Sequence, residues 1–381
     1  MGDLLKLGIA GMGNAGRAVL RDLSAVSGVA LTAVADVQGK ALESFRLNPT
    51  VKTFVTVEAM CRTADIDALW IATPNEFHAE HTLAAAASGK HVVCEKPMAV
   101  SLEECDRMIE AAEANNIRLL MHSKAGDPPV EKMRELAAGG TLGRVIQISS
   151  WNYKRWLDLP RPSSELDTAK GGGVVFRQGA HQIDIVRAIG GGIVKSVRAA
   201  TGKWHARFDT EGNYTAFLEF ADGTPATLVF DGYGRFDMAE VTWGIGESGF
   251  ARAASENAAE ALCPRTPMER SARSERRREG ARKQPFFGLT LVSLEKGDLR
   301  QSPDGIYIYT DQGREEIPCT PFLDRAGELI RLYEAITQKR PIFADGRWGK
   351  ATLEVVLAIL QSSREKREIE LKHQAAAKYL R

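Results

Sequence analysis

The sequence predicts an α/β fold: a doubly wound parallel sheet, followed by a C-terminal α+β domain with a large, mainly antiparallel, open-faced sheet. Three observations carry this. From Leu4 to Met121 the apolar runs LKLGIAG, ALTAVAD, DALWIAT, HVVCEK and IRLLMH alternate with amphipathic segments, the spacing of βαβ units. The first run leads straight into a glycine-rich turn and a helical pattern. After about Gly126 the texture changes to runs such as YTAFLEFADGTPATLVFDGYG, strands joined by Asp-Gly turns, which is hairpin chemistry and so implies antiparallel pairing.

The glycine-rich turn is Gly11-Met12-Gly13-Asn14-Ala15-Gly16. Between strand and helix, the first glycine makes the turn, the second lets backbone approach a pyrophosphate, and the third permits close helix–strand packing. The free N–H groups and dipole of the helix N-terminus then favour the anion. A lone glycine motif is often only a turn, but Asp36 closes the second strand run twenty residues past Gly16, where a carboxylate can accept from both ribose hydroxyls. The same carboxylate would repel a 2′-phosphate, so NAD is expected over NADP, with Lys40 near enough to soften the preference. These residues define a dinucleotide-binding Rossmann domain over 1–125.

Residues 126–381 form the expected substrate-binding and oligomerisation domain. A helix from Pro128 to Ala138 leads into the strand GRVIQISSWNYKRW. Apolar periodicity over Val174 to Ile189, Leu329 to Ile336 and Leu353 to Leu360 predicts helices that cover one sheet face. The other face then needs cover, which points to a homo-oligomer, a dimer or tetramer. The segment from Arg252 to Lys283, rich in Ala, Ser, Glu and Arg, reads as a surface insertion, with a lid or a subunit contact as the competing readings.

With 50 basic and 49 acidic side chains in 381 residues, the formal charge of +1 offers no global field to nucleic acid or membrane, and small molecules are the expected partners. No apolar stretch reaches membrane-spanning length and no cleavage signal precedes the first strand, so a cytoplasmic address is expected. Cys61, Cys94, Cys105, Cys263 and Cys319 are odd in number and scattered, which argues against a disulfide framework and a zinc site, and no metal is expected.

Two further segments end strand patterns at the carboxyl edge of the sheet, beside the glycine turn: Ala72-Thr73-Pro74-Asn75, running into a helix with His78 and His81, and Glu95-Lys96-Pro97. GMGNAG, ATPNEFH and EKP in this order and spacing resemble the glucose-fructose oxidoreductase, inositol dehydrogenase and rhizopine catabolism family (Gfo/Idh/MocA), and the likeness extends to the C-terminal helix DGRWGKATLEVVLAILQSSREKREIEL. The resemblance implies that Thr73, Pro74, Asn75, His78, Glu95 and Lys96 line the cofactor. It also places Lys96 against the reacting hydroxyl, where an ammonium can stabilise an alkoxide. A second family element, D-x-G-x-H after glycines, is matched by KGGGVVFRQGAH at Gly179 and His181. His181 is the candidate general base, a satisfied core histidine being the alternative. The family aspartate is absent, and Arg177 stands in its place beside Gln178. That exchange disfavours a plain polyol and suggests a substrate carboxylate.

Tyr153, Lys154 and Arg155 add rings and cations that suit a flat carboxylated ring, or else form a packed strand end. The stretch from Trp151 to Gly190 is similar to the branch of the family that contains 4,5-dihydro-4,5-dihydroxyphthalate dehydrogenases. The implied reaction is NAD-dependent oxidation of a phthalate cis-4,5-dihydrodiol to 4,5-dihydroxyphthalate. His181 would take the hydroxyl proton, Lys96 would stabilise the alkoxide, and Arg177 with Arg155 or Lys154 would hold the carboxylates, with Arg177 bound to Glu165 or Asp184 as the competing arrangement. Dehydrogenation of a sugar, sugar acid or inositol, and a non-catalytic NAD-bound sensor, remain alternatives.

Overall fold

The computed structural model describes residues 4–159, 161–251 and 281–377. Most of the 252–283 insertion, with Cys263, lies outside the described residues. The first sheet has six parallel strands, β1 (Leu5–Ala10), β2 (Val29–Ala35), β3 (Lys52–Phe54), β4 (Ala68–Ile71), β5 (His91–Cys94) and β6 (Leu119–Met121), in the order β3-β2-β1-β4-β5-β6. All four residues of β4 are buried, because helices cover both faces; a strand so covered reads as a continuous apolar run rather than an alternating one. Helices α3 (Val57–Thr63), α4 (His78–Ala87) and α5 (Leu102–Ala114) bury Met60, Cys61, Ala85 and Met108 against Leu69 and Ile71. On the other face, α1 (Asn14–Leu23) and α2 (Gly39–Arg46) set Val19 and Leu42 against Leu7, Ile9, Val34 and Trp70.

The second sheet has nine strands: β7 (Val145–Tyr153), β8 (Val194–Gly202), β9 (Asn213–Phe220), β10 (Pro225–Asp231), β11 (Leu289–Leu294), β12 (Gly297–Gln301), β13 (Gly305–Thr310), β14 (Gly313–Pro318) and β15 (Ile369–Glu370). Their order is β14-β13-β12-β11-β7-β10-β9-β8-β15, antiparallel throughout except for the central β7–β10 pair. Asp222-Gly223 turns β9 into β10, with Gly223 at φ +85°, a left-handed conformation that glycine adopts without strain. One face carries Ile148, Leu218, Leu228, Phe230 and Val292, all buried beneath α6 (Pro128–Gly139) and α7 (Ala180–Ile189) and the later C-terminal helix. The opposite face exposes Trp151 and Phe217, as the period-2 alternation of β7 and β9 requires.

One helix departs from expectation. The periodic stretch around Leu329–Ile336 forms α8 (Arg325–Thr337), but it covers the first sheet, not the second. Its stripe of Ala326, Leu329 and Leu332 packs with α1 against Leu7, Ile9 and Trp70. Apolar periodicity reveals that a helix has a covered face without saying which sheet covers it. The chain then extends the first sheet further: Met121 N–H donates to the Ala344 carbonyl at 2.7 Å, and Asp345 bridges Leu120. Only with α9 (Gly346–Glu365) does it return to β8, so 126–381 is interrupted by an excursion onto the first domain. Among the described residues no helix is long and apolar enough to cross a membrane.

Candidate active site

The glycine turn has the division of labour its sequence requires. Gly11 sits at φ +87°, and a Cβ there would meet the Ala72 carbonyl oxygen at 2.6 Å. A Cβ on Gly16 would collide with the Gly11 carbonyl, so the third glycine lets helix and turn close together. At Gly13 a Cβ would meet nothing within 4 Å, which leaves open space where a pyrophosphate approaches. The helix behind it starts without a side-chain cap and without an acid in its first turn, so its leading N–H groups and dipole face that space. Asp36 stands at the rim: Oδ2 accepts from the Met12 N–H at 2.7 Å and Oδ1 from the Gln38 N–H at 2.8 Å. Each oxygen keeps acceptor capacity for a ribose hydroxyl. Met12 is buried, while Asn14 is exposed and Ala15 half-buried. These residues fit a dinucleotide.

The ATPN and EKP segments meet at the carboxyl edge, though not every residue expected to line a cofactor does so. His78 is fully buried, with Nδ1 2.8 Å from the Pro97 carbonyl and Nε2 2.9 Å from that of Thr73. It braces the two loops and has no surface left for a ligand. Glu95 is also buried and turns away, its Oε1 accepting from Arg325 Nε at 2.9 Å. Burial alone would raise this carboxyl, but Arg325, then His122 and Lys96, pull it down to about 2. Asn75 links the domains: Nδ2 donates to the Gly171 carbonyl at 2.7 Å and Oδ1 accepts from Arg177 Nη1 at 3.1 Å. Thr73 Oγ1 lies 2.9 Å from His81 Nδ1, and Pro74 is exposed beside it.

Lys96 and His181 come together at the domain junction. The helix bearing His181 begins with a π-helical turn, Val175–Gly179, which breaks the four-residue register that would stack Arg177 on His181. The Arg177 carbonyl accepts from Lys96 Nζ at 2.6 Å and from Gln178 Nε2 at 3.1 Å. Burial, then the Arg177 guanidinium, lowers the Lys96 ammonium to about 7. His181, 8% exposed, packs edge-on between His122, at 5.9 Å between ring centroids, and Phe287, at 5.2 Å. Burial, then Lys96, Lys124 and His122, drives its pKa well below the usual value, so the imidazole is neutral. Its Nδ1 and the Oε1 of Gln178 are buried without a hydrogen-bond partner among the described residues, polar atoms of the kind a ligand satisfies.

The expected carboxylate clamps are closed by the chain itself. Arg177 Nη2 lies 2.9 Å from Glu165 Oε1, the arrangement the sequence offered as its alternative, and Arg161 holds the other oxygen at 2.8 Å. Lys154 Nζ reaches both oxygens of Glu247, at 2.7 and 2.9 Å. Arg155 pairs with Asp158 at 2.8 Å. Tyr153 packs against Phe236; by strand alternation it sits on the face away from α7, whose Gln182 bonds Ser150 on the near face.

Sequence reasoning missed His122, Lys124, Arg325 and Glu328. His122 and Lys124 follow β6 just as Lys96 follows β5, so the carboxyl-edge rule could have found them. Arg325 and Glu328 arrive on α8, and no local signal announces them. His122 Nδ1 lies 3.2 Å from Glu328 Oε1, and Glu95 and Glu328 raise its pKa against the effect of burial.

Residues 5–123 match the GFO_IDH_MocA model, an oxidoreductase family with an NAD-binding Rossmann fold, and residues 130–247 match the GFO/IDH/MocA C-terminal domain. The chain is 30% identical over 380 residues to the 1-carboxy-3-chloro-3,4-dihydroxycyclohexa-1,5-diene dehydrogenase of Comamonas testosteroni, covering 94% of this chain and 95% of that one. It is 30% identical over 257 residues to the rhizopine catabolism protein MocA of Rhizobium meliloti, covering 65% of this chain and 78% of that one. A crystal structure from Bordetella bronchiseptica RB50 superposes with a TM-score of 0.88 at 36% identity, over 97% of this chain and all of the other. The chain belongs to the Gfo/Idh/MocA family of oxidoreductases, as a dehydrogenase with an N-terminal NAD-binding Rossmann domain.

Proposed function

We propose that the chain oxidises the cis-dihydrodiol of a ring carboxylate to the corresponding catechol, with NAD preferred over NADP. The observation that carries this reading is that Lys96, its Nζ held by the Arg177 carbonyl and its ammonium lowered to about 7, comes together at the domain junction with a buried neutral His181 whose Nδ1 has no hydrogen-bond partner among the described residues. The substrate class follows from likeness to the Comamonas enzyme. Phthalate cis-4,5-dihydrodiol, giving 4,5-dihydroxyphthalate, is the member named by the resemblance of Trp151–Gly190. A monocarboxylated diol is the second reading, favoured because Arg177, Lys154 and Arg155 already have carboxylate partners.

Bound NAD supplies the hydride acceptor. Lys96, not His181, suits the role of general base, because a group poised near the working pH is the efficient one and His181 titrates far lower. The Lys96 amine takes the hydroxyl proton while the carbinol C–H pair departs as hydride and the C=O bond forms. The Arg177 carbonyl holds Nζ in position, and neutral His181 orients the hydroxyl. The ring ketone then tautomerises to the aromatic catechol, which favours oxidation. Two copies meeting through the exposed Trp151 and Phe217 face would complete a homo-oligomer.

NADH formation, measured with phthalate cis-dihydrodiol, a monocarboxylated cis-dihydrodiol, an uncarboxylated one and myo-inositol, tests the reading. The carboxylated diols should give the highest kcat/KM. Preference for myo-inositol, or indifference to the carboxylate, would sink it.

A further inference from the structure

With the nominated cations closed by Glu165, Glu247 and Asp158, the question is which cation beside His181 retains donors. We propose that Lys124 is the residue that binds the carboxylate of the substrate ring. This rests on the reading above that the substrate is a ring carboxylate, and it moves the specificity contact from Arg177 to the end of β6.

Lys124 opens a short turn, Lys124–Gly126, that packs directly on the His181 helix. The residues before it fix that approach. His122 stacks edge-on to His181, and Ser123 Oγ donates to Asp184 Oδ2 at 2.6 Å, one helical turn beyond His181. The Lys124 residue is 7% exposed, yet among the described residues its ammonium makes one hydrogen bond, to Asp127 Oδ2 at 3.2 Å. An ammonium has three donors, and 3.2 Å is long for a charge-assisted bond, for which about 2.7–2.9 Å is usual. A buried cation with unmet donors is costly unless a ligand or water meets them. Asp127, with Asp324 and Glu247 farther out, keeps the ammonium charged despite its burial.

The surroundings suit a flat ring. The Phe322 ring centroid lies 5.7 Å from Nζ, and Phe287 packs against His181. A ring between these aromatics would present its hydroxyl carbon toward Lys96 and His181 and its carboxylate toward Lys124. Asp127 would then share the ammonium with the ligand, the two anions meeting different donors.

The test uses Lys124→Met, which keeps an unbranched apolar stem and removes the charge, in NAD-loaded full-length enzyme. The quantity read is the ratio of kcat/KM for a carboxylated cis-dihydrodiol to that for the same diol without the carboxylate. Because both substrates feel any change at His181, the ratio isolates the carboxylate contact. It should fall by roughly ten- to a hundredfold, the scale of one charge-assisted hydrogen bond. An unchanged ratio overturns the assignment. Should the wild-type enzyme show no preference between the two diols, the substrate reading fails by itself, and benzoate binding to the enzyme–NADH complex then judges Lys124. Benzoate should bind the wild type and be weakened at least tenfold in the variant; equal affinity, or no binding to the wild type, overturns the subsite. A normal melting temperature for Lys124→Met excludes misfolding as the cause, and Lys124→Arg should retain part of the preference.

Discussion

Replacing Arg177 by alanine separates two roles for this residue, because one changes the pH dependence of catalysis and the other does not. After burial, the Arg177 guanidinium is the main cause that lowers Lys96 to about 7. Lys96 Nζ donates to the carbonyl of the same residue, so the two charges stand about one arginine side chain apart. At roughly 8–10 Å and an effective dielectric of about 20, two unit charges interact by about 2 kcal/mol, or ~1 to 1.5 pKa units. The partner left behind, Glu165, would act in the same direction. Lys96 in the variant should therefore titrate near 8 or above. Since the amine is the proposed base, the rising limb of kcat/KM for oxidation should move up by about one pH unit, cutting activity at pH 7 roughly fivefold and leaving it nearly intact at about pH 9.5. Arg177→Lys should hold the limb near the wild-type position, and Lys96→Met should abolish it along with most of the activity. NADH formation across pH, with melting curves alongside, reads all three. A loss that is uniform across pH and confined to KM would refute this reasoning and restore Arg177 as a substrate clamp.

Three other outcomes are expected. Asp36→Ser should narrow the NAD:NADP ratio of kcat/KM by tenfold or more, because the carboxylate that would oppose a 2′-phosphate is gone; steady-state kinetics with both cofactors checks it. Arg325→Met leaves Glu95 buried and unpaired, which should cost about 3–5 kcal/mol in denaturant unfolding at pH 7. Glu95 has a depressed folded pKa, so the wild-type advantage is full above the unfolded value near 4.5 and shrinks as pH falls toward about 2; the gap between the two proteins should be smaller at pH 4. On the open sheet face, Trp151→Glu with Phe217→Lys should lower the assembly state seen by sedimentation, with NAD binding retained.

What could be read from the sequence, and what could not, divides along one physical line. The first sheet was legible because its strands are buried on both faces and leave continuous apolar runs, and because Gly11, Gly13 and Gly16 each answer a local steric demand. The meeting of Lys96 and His181 at one junction was legible because each sits beside a local signal, a proline-bounded strand end and a glycine-led helix. Counterions follow no such pattern. A run such as Tyr-Lys-Arg shows that cations are present, but their partners Glu247 and Asp158 lie in segments without periodicity, and Glu165 reaches Arg177 from a short turn twelve residues earlier. Arg325 meets Glu95 across 230 residues, through a helix whose stripe gave its amphipathicity but not its destination. On the proposed reading, the specificity of this site follows from which cations retain donors after the described residues have satisfied their own carboxylates. By that criterion a cluster of arginines near a catalytic histidine is weak evidence for an anionic substrate. A buried lysine with one long hydrogen bond among the described residues, as at Lys124, is stronger evidence, because its remaining donors are left for a ligand or water to meet.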